Sequence, residues 1–223
     1  MAHPYYHAVS SARRFGGRPD DYLQVHEFMD HTKSHLADSR HRLFLHNTWG
    51  IFFAEKILGA TITRASDDKI MPLRPLLEQH VTEDFSFIPT LHHCFEDLPA
   101  RPFAHDTDDS IAHCQQSQAE LGGAWRDYLP IHQAFNSTRD VLADQRAQII
   151  LHNTWGITIL LRLLGDTLVR PSDQREISIR PILETHIRRD LGTIPTLKEC
   201  VKDIPIQPWM YRSAQPLSRS MAQ

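Results

Sequence analysis

Apolar and small residues recur at helical spacing through PYYHAVSSARRF, and the run stops at Gly16-Gly17, a pair suited to a helix end. The pattern predicts a first helix over 4–15. Pro19-Asp20-Asp21 opens a second, with proline near its first position and acids in its first turn, running to about Leu36. Asp38 is placed to cap a third helix over 39–58, closed by Gly59. Thr61-Ile-Thr-Arg and Ile70-Met-Pro-Leu flank Ser66-Asp-Asp-Lys and predict a short β-hairpin or extended loop. Pro75 opens a fourth helix to about Phe85, and Pro89 a short fifth ending near Pro99.

The same pattern then recurs. Shifted by 106 positions, residues 7–99 lie on residues 113–205 without a gap, and 39 of the 93 aligned positions are identical. The longest exact block is LHNTWGI, at 45–51 and again at 151–157. Two copies are too few for a solenoid, which needs at least three repeats to bury its faces. The expected architecture is therefore mainly all-α. It consists of two tandem, pseudo-twofold-related units, one chain imitating a homodimer, each with about five helices and the small hairpin. The boundaries read as a first unit over 1–103, a polar, acidic connector over 104–112, a second unit over 113–209 and a tail over 210–223.

Composition changes this picture at one point. A chain of 223 residues, 41% hydrophobic and 23% charged, is ordinary for a folded domain. A net charge of −3 with dispersed basic residues argues against nucleic-acid binding. Three cysteines without a CxxC, no basic-then-apolar leader and no membrane-length apolar run predict a reduced, cytoplasmic protein without a membrane span. The anomaly is 15 histidines.

The repeat sorts them. All four histidines of the second copy (His113, His132, His152, His186) fall on histidines of the first (His7, His26, His46, His80). His31, His35, His41, His92 and His93 have no counterpart and read as surface decoration. On helical geometry His26, His46 and His80 each point to the apolar side of their helix, and Asp84 shares a face with His80 one turn on. An inward carboxylate is costly unless paired, protonated or bound to a cation. The set His26, His46, His80 and Asp84, with His132, His152, His186 and Asp190 in the second copy, suits a divalent transition metal such as Zn, Fe or Mn. The competing reading is a core polar network of satisfied imidazoles. For His7 and His113 the structural role is the favoured one.

Among the other retained polar residues, Arg40 and Arg74, with Arg146 and Arg180, are placed to hold a phosphate, and Glu78 or Glu184 to act as base toward a metal-bound water. This predicts a metal-dependent hydrolase acting on a phosphoester or nucleotide. The simpler expectation for Arg74 is an ion pair with Glu78 on the same helix. Trp49-Gly50, expected mid-helix, suggests a close helix crossing. No Walker motif or GxSxG nucleophile is present, and the adjacent His-Asp pair of the HD phosphohydrolases is missing from the repeated blocks. The alternative is a non-enzymatic interaction or assembly protein, with a protein partner or a second copy of the chain engaging the polar tail after Tyr211.

HPYYHAVSSARRFGG, RHRLFLH, and EQHVTED followed by IPT resemble a family of short, uncharacterised, histidine-rich helical proteins of bacteria and phages. The resemblance covers nearly all of the first copy and, more loosely, the second, which has Val141 and Ala147 in place of His35 and His41. It implies an autonomous unit, here duplicated, and carries no activity with it.

Overall fold

The computed structural model describes residues 3–96, 110–142 and 145–211. Residues 104–109 of the expected connector, Pro99, Asp144 and the tail beyond 211 lie outside these. The chain divides into two compact units, one of residues up to 94 together with those from 205 onward, the other of residues 95–204. Both are helical, each with one two-stranded hairpin. Among the described residues no helix is long and apolar enough to cross a membrane.

In unit 1, α1 (Pro4–Phe15) ends on Gly16, whose φ of +82° lets its N–H reach Ala12 O. The turn into α2 (Asp20–Met29) is locked from three sides. Tyr22 Oη donates to Gly16 O at 2.6 Å, Arg64 Nη1 donates to Phe15 O at 2.6 Å, and Asp21 accepts from Ser66 N and Oγ. Arg64 is in turn held by Asp67 through Nε and Nη2. These contacts explain why Asp21, Arg64 and Asp67 survive in both copies. The hairpin carrying Arg64 pairs β1 (Thr61–Thr63) with β2 (Ile70–Pro72) in antiparallel register.

The expected long third helix is broken in two. A 3-10 turn over Ser39–His41, capped by Asp38, leads into α3 (Arg42–Leu45), and α4 spans Thr48–Leu58. The joint is His46-Asn47. Asn47 caps α4 by accepting from Gly50 N at 2.9 Å while its Nδ2 donates back to Leu43 O at 3.0 Å. Gly50 is a glycine because a Cβ there would stand 2.1 Å from Leu45 O, so the crowding comes from the preceding turn and not from a crossing helix. Thr48 N donates to Pro89 O, which ties the IPT block to the same joint. The second helix is also shorter than expected, giving way after Met29 to a 3-10 turn over His31–Ser34.

α5 (Arg74–Phe85) packs against α1, α2 and α4, and α6 (Leu91–Phe95) follows. A 3-10 turn over Pro208–Tyr211 closes unit 1. Met210 is fully buried, its carbonyl accepts from Arg42 Nη1 at 2.7 Å, and the Trp209 ring stands edge-on to Phe85 at 5.5 Å.

Unit 2 repeats the plan with α7 (Ser110–Leu121), α8 (Trp125–Asn136), α9 (Thr154–Leu164), β3 (Thr167–Val169), β4 (Glu176–Ser178), α10 (Arg180–Leu191) and α11 (Leu197–Val201). Tyr128, Arg170, Asp127 and Asp173 reproduce the locked turn. Asn153 and Gly156 reproduce the joint, where a Cβ on Gly156 would meet Leu151 O at 1.8 Å. The segment before it is a 3-10 stretch over Gln145–Ile150.

Candidate metal centre

The joint and three helices converge in unit 1. α1 supplies His7, the end of α2 supplies His26 and Asp30, the joint supplies His46, and α5 supplies His80 and Asp84. His26, His46 and His80 are fully buried, Asp30 and Asp84 are 5% and 2% exposed. One donor atom from each of Asp30, His46, His80 and Asp84 lies within 4.8 Å of the others. His46 Nε2 stands 3.0 Å from His80 Nε2, 3.3 Å from Asp84 Oδ2 and 3.5 Å from Asp30 Oδ1, and His80 Nε2 stands 3.7 Å from Asp30 Oδ1. Four ligands at metal distances of 2.0–2.2 Å around a tetrahedral ion sit about 3.3 Å apart, so these separations fit one ion with little movement.

The protons of the surrounding network set what these atoms offer. Glu83 is an anion, since bonds from His7, Ser10 and Gln79 outweigh the burial that would raise its pKa. It accepts from Gln79 Nε2 at 2.6 Å, which turns Gln79 Oε1 toward Ser11. Ser11 Oγ donates to that oxygen at 3.3 Å and therefore accepts from His26 Nε2 at 2.9 Å. His26 Nδ1 is then bare and accepts from His80 Nδ1 at 3.0 Å. The chain ends with the lone pair of His80 Nε2, aimed into the cluster and 3.0 Å from His46 Nε2. Burial and the facing histidines push His26 down to about 2 and His80 to about 4, the latter despite Asp30, so both are neutral near pH 7.

The carboxylates facing that lone pair are anions. Burial alone would raise Asp30 and Asp84, but the imidazoles around them outweigh it and hold both below the usual range. Cations stand behind the cluster. Lys33 Nζ is 2.6 Å from Asp30 Oδ2, and Arg42 Nη2 is 2.9 Å from Asp84 Oδ2. His7 lies between Glu83 (2.6 Å) and Asp84 (3.5 Å); these carboxylates overcome the cost of burial and raise it to about 9.

Unit 2 holds a reduced version. His152 Nε2, His186 Nε2 and Asp190 Oδ2 form a buried triangle with edges of 3.3, 3.1 and 3.2 Å. His152 Nδ1 donates to Gln148 O at 3.0 Å, an atom that only accepts. His186 Nδ1 pairs with His132 Nδ1 at 2.9 Å, and His132 Nε2 with Ser117 Oγ at 3.0 Å. His113 Nε2 meets the other oxygen of Asp190 at 3.0 Å. His113, His132 and His186 also offer nitrogens within 4.8 Å of one another. Asp190 is held low by these imidazoles against the opposing effect of burial.

The structure thus gathers His46, His80 and Asp84, with His152, His186 and Asp190. It seats His26 and His132 behind His80 and His186, on the nitrogen opposite the cluster. Glu78 lies two residues from His80, on the far side of α5 from the cluster, and lines a surface pocket with Ser10, Arg14 and Thr82. Glu184 is placed likewise and reaches Arg188 at 3.4 Å. Arg40 binds Asp38 at 2.7 Å, and Arg74 binds Glu55 at 2.5 Å in place of the expected Glu78. Arg146 is half-buried and Arg180 exposed at the start of α10.

Further side chains enter the sites beyond those expected as ligands. His41 is fully buried beside Asp30, 3.8 Å from Nε2 to Oδ1, and is not surface decoration. His7 and His113 each touch the cluster's carboxylate. Asp30 carries no repeat signal, since Asn136 stands opposite it, although His26-x-x-x-Asp30 repeats the spacing of His80-x-x-x-Asp84. Ser11, identical in both copies, carried a further signal.

No curated protein and no solved structure matches the chain. One family profile matches twice, over residues 2–104 and 108–210, and is described as a domain of unknown function, DUF6915. The two matches cover nearly the whole sequence, and the chain belongs to that family as a tandem duplication of its domain.

Proposed function

We propose that each unit binds one divalent transition metal ion, unit 1 through His46, His80, Asp30 and Asp84, unit 2 through His152, His186 and Asp190. The observation that carries this reading is the convergence of four buried donor atoms within 4.8 Å of one another, with the hydrogen-bond chain from Glu83 turning the His80 lone pair toward two buried carboxylates. His46 Nε2, 3.0 Å from His80 Nε2, has one proton to give to these three acceptors, whereas a divalent cation among them would satisfy all of them at once. Mixed imidazole and carboxylate donors suit Zn, Fe or Mn. His26 and His132 act as supports that fix the orientation and protonation of the ligand behind which they stand.

A hydrolytic reaction at such a centre would use a metal-bound water. The positions of Glu78, Glu184, Arg40 and Arg74 away from the cluster lend that extension no support, and metal binding is the function the geometry favours. Elemental analysis of untagged protein, beside His46→Ala/His152→Ala, tests it. One equivalent of a single metal per unit, lost in the double variant, is expected. Protein that stays metal-free after exposure to Zn, Fe and Mn, with unchanged thermal stability in each, overturns the reading and leaves a proton-sharing polar core.

A further inference from the structure

The two centres share a His-His-Asp core but differ around it, Glu83, Gln79 and Lys33 of the first standing opposite Arg189, Thr185 and Arg139 of the second. Asp30 is replaced by Asn136, His41 by Ala147 and Arg42 by Gln148. In unit 1 the second carboxylate completes a four-donor set. In unit 2 its counterpart has turned away, Asn136 Nδ2 donating to Ser110 Oγ at 2.7 Å. His113 does not fill the gap, because its Nε2 is directed at Asp190 Oδ1, the oxygen outside the triangle. That contact orients the carboxylate, as partners of ligating groups commonly do. What remains is a face of two imidazoles and one carboxylate oxygen, each 3.1–3.3 Å from the next.

Four protein ligands saturate a tetrahedral ion, whereas three leave a position for a further ligand. Two imidazoles and one carboxylate on a single face is moreover the donor set that leaves positions open on Fe(II). We propose that unit 1 is a closed centre and unit 2 an open one, whose metal takes a small exogenous oxygen or nitrogen donor, such as water or a compact anion. This rests on the metal-binding reading. The size limit follows from burial, as His152 and His186 are fully covered and Asp190 is 8% exposed. The loss of the guanidinium at 148 removes a positive charge from the side chains available to the second centre.

Cobalt(II) and azide provide the test. The full chain is stripped of metal, loaded with Co(II), and titrated with azide while the visible d–d bands are followed. Azide is expected to perturb one of the two bound equivalents. Asp190→Asn abolishes that response. Asn136→Asp supplies the missing fourth donor and weakens azide binding by about tenfold or more. Asp30→Asn, which copies what unit 2 already carries, opens unit 1 and creates a second responsive equivalent. These exchanges are close to isosteric, and circular dichroism of each checks that it folds. Response at both equivalents of the wild type, at neither, or undiminished in Asn136→Asp overturns the proposal while leaving metal binding intact. Failure to take up any Co(II) overturns the metal reading itself, and this inference with it.

Discussion

Replacing Ser11 by alanine isolates the step on which the chemistry of unit 1 turns. Ser11 is fully buried and is the one group that both accepts from His26 Nε2 and donates to Gln79. Without it the His26 N–H is buried with no acceptor, at a cost of about 1–3 kcal/mol. The ring escapes that cost by moving its proton to Nδ1. His26 Nδ1 then donates where it had accepted, so His80 must give up its Nδ1 proton and carry it on Nε2. The nitrogen facing Asp30 and Asp84 becomes a donor, and a metal ion must displace its proton to bind. Loss of such a supporting contact typically lowers metal affinity by roughly 10–100-fold. Long-range proton–nitrogen correlation spectra read the His80 tautomer directly, and competition with a chelating dye reads affinity. In the wild type the proton is expected on Nδ1; in Ser11→Ala it shifts to Nε2 and affinity falls. An unchanged tautomer together with unchanged affinity would refute the proton chain. The same exchange at Ser117 leaves His152 pinned to the Gln148 carbonyl, so unit 2 should lose less.

Other predictions address the frame and its response to pH. Gly50→Ala or Gly156→Ala places a methyl against the carbonyl of Leu45 or Leu151, and each is expected to destabilise its unit by about 3 kcal/mol, the upper end for overpacking, in urea titrations. The metal-free chain should lose stability as pH falls from 7 to 5.5. His26 and His132 (both pushed to about 2 by burial), His41 (about 3), and His80 and His186 (both about 4) stay neutral when folded, yet take up protons near 6.5 when unfolded. The unfolded chain then binds more protons, and each group costs about 1 kcal/mol by pH 5.5. His7, raised to about 9, works the other way: its contribution is complete below 6.5 and lost as pH rises toward 9. A urea midpoint that holds steady between pH 7 and 5.5 would contradict these assignments. Truncation before Pro208 uncovers Phe85 and removes the carbonyl that holds Arg42, so the melting of unit 1 should fall by about 2–3 kcal/mol, with unit 2 unaffected.

The duplication made most of this arrangement readable. Glycines and prolines placed α1, α5, the C-terminal end of α4 and the hairpin close to where they stand, because those signals act within a few residues. The broken third helix was not readable from periodicity. LHNTWGI looks like helix throughout, and only the reciprocal bonds of Asn47 and the crowding at Gly50 reveal the joint. That error had a consequence, since His46 reaches the cluster from the joint and not from a helical stripe. Comparing the copies picked out His46, His80 and Asp84, but by construction it discarded whatever the copies do not share. Asp30, His41 and Arg42 were lost to that filter, and they are among the residues that distinguish the centres. Arg74 was assigned the neighbour in sequence, Glu78, where the fold offered Glu55 on α4.

The turn at Pro208–Tyr211 bears on how the chain is made. By sequence it closes the second DUF6915 match, yet it packs within unit 1, against a helix that ends at Phe85. On a ribosome, α1 to α6 emerge first but wait for these residues until the whole second repeat has been synthesised. At 5–20 residues per second, the residues from 95 to 207 take roughly 6–23 s. During that interval Phe85 lacks its Trp209 neighbour and Arg42 its carbonyl partner. The first repeat is thus the earlier to begin folding and the later to finish.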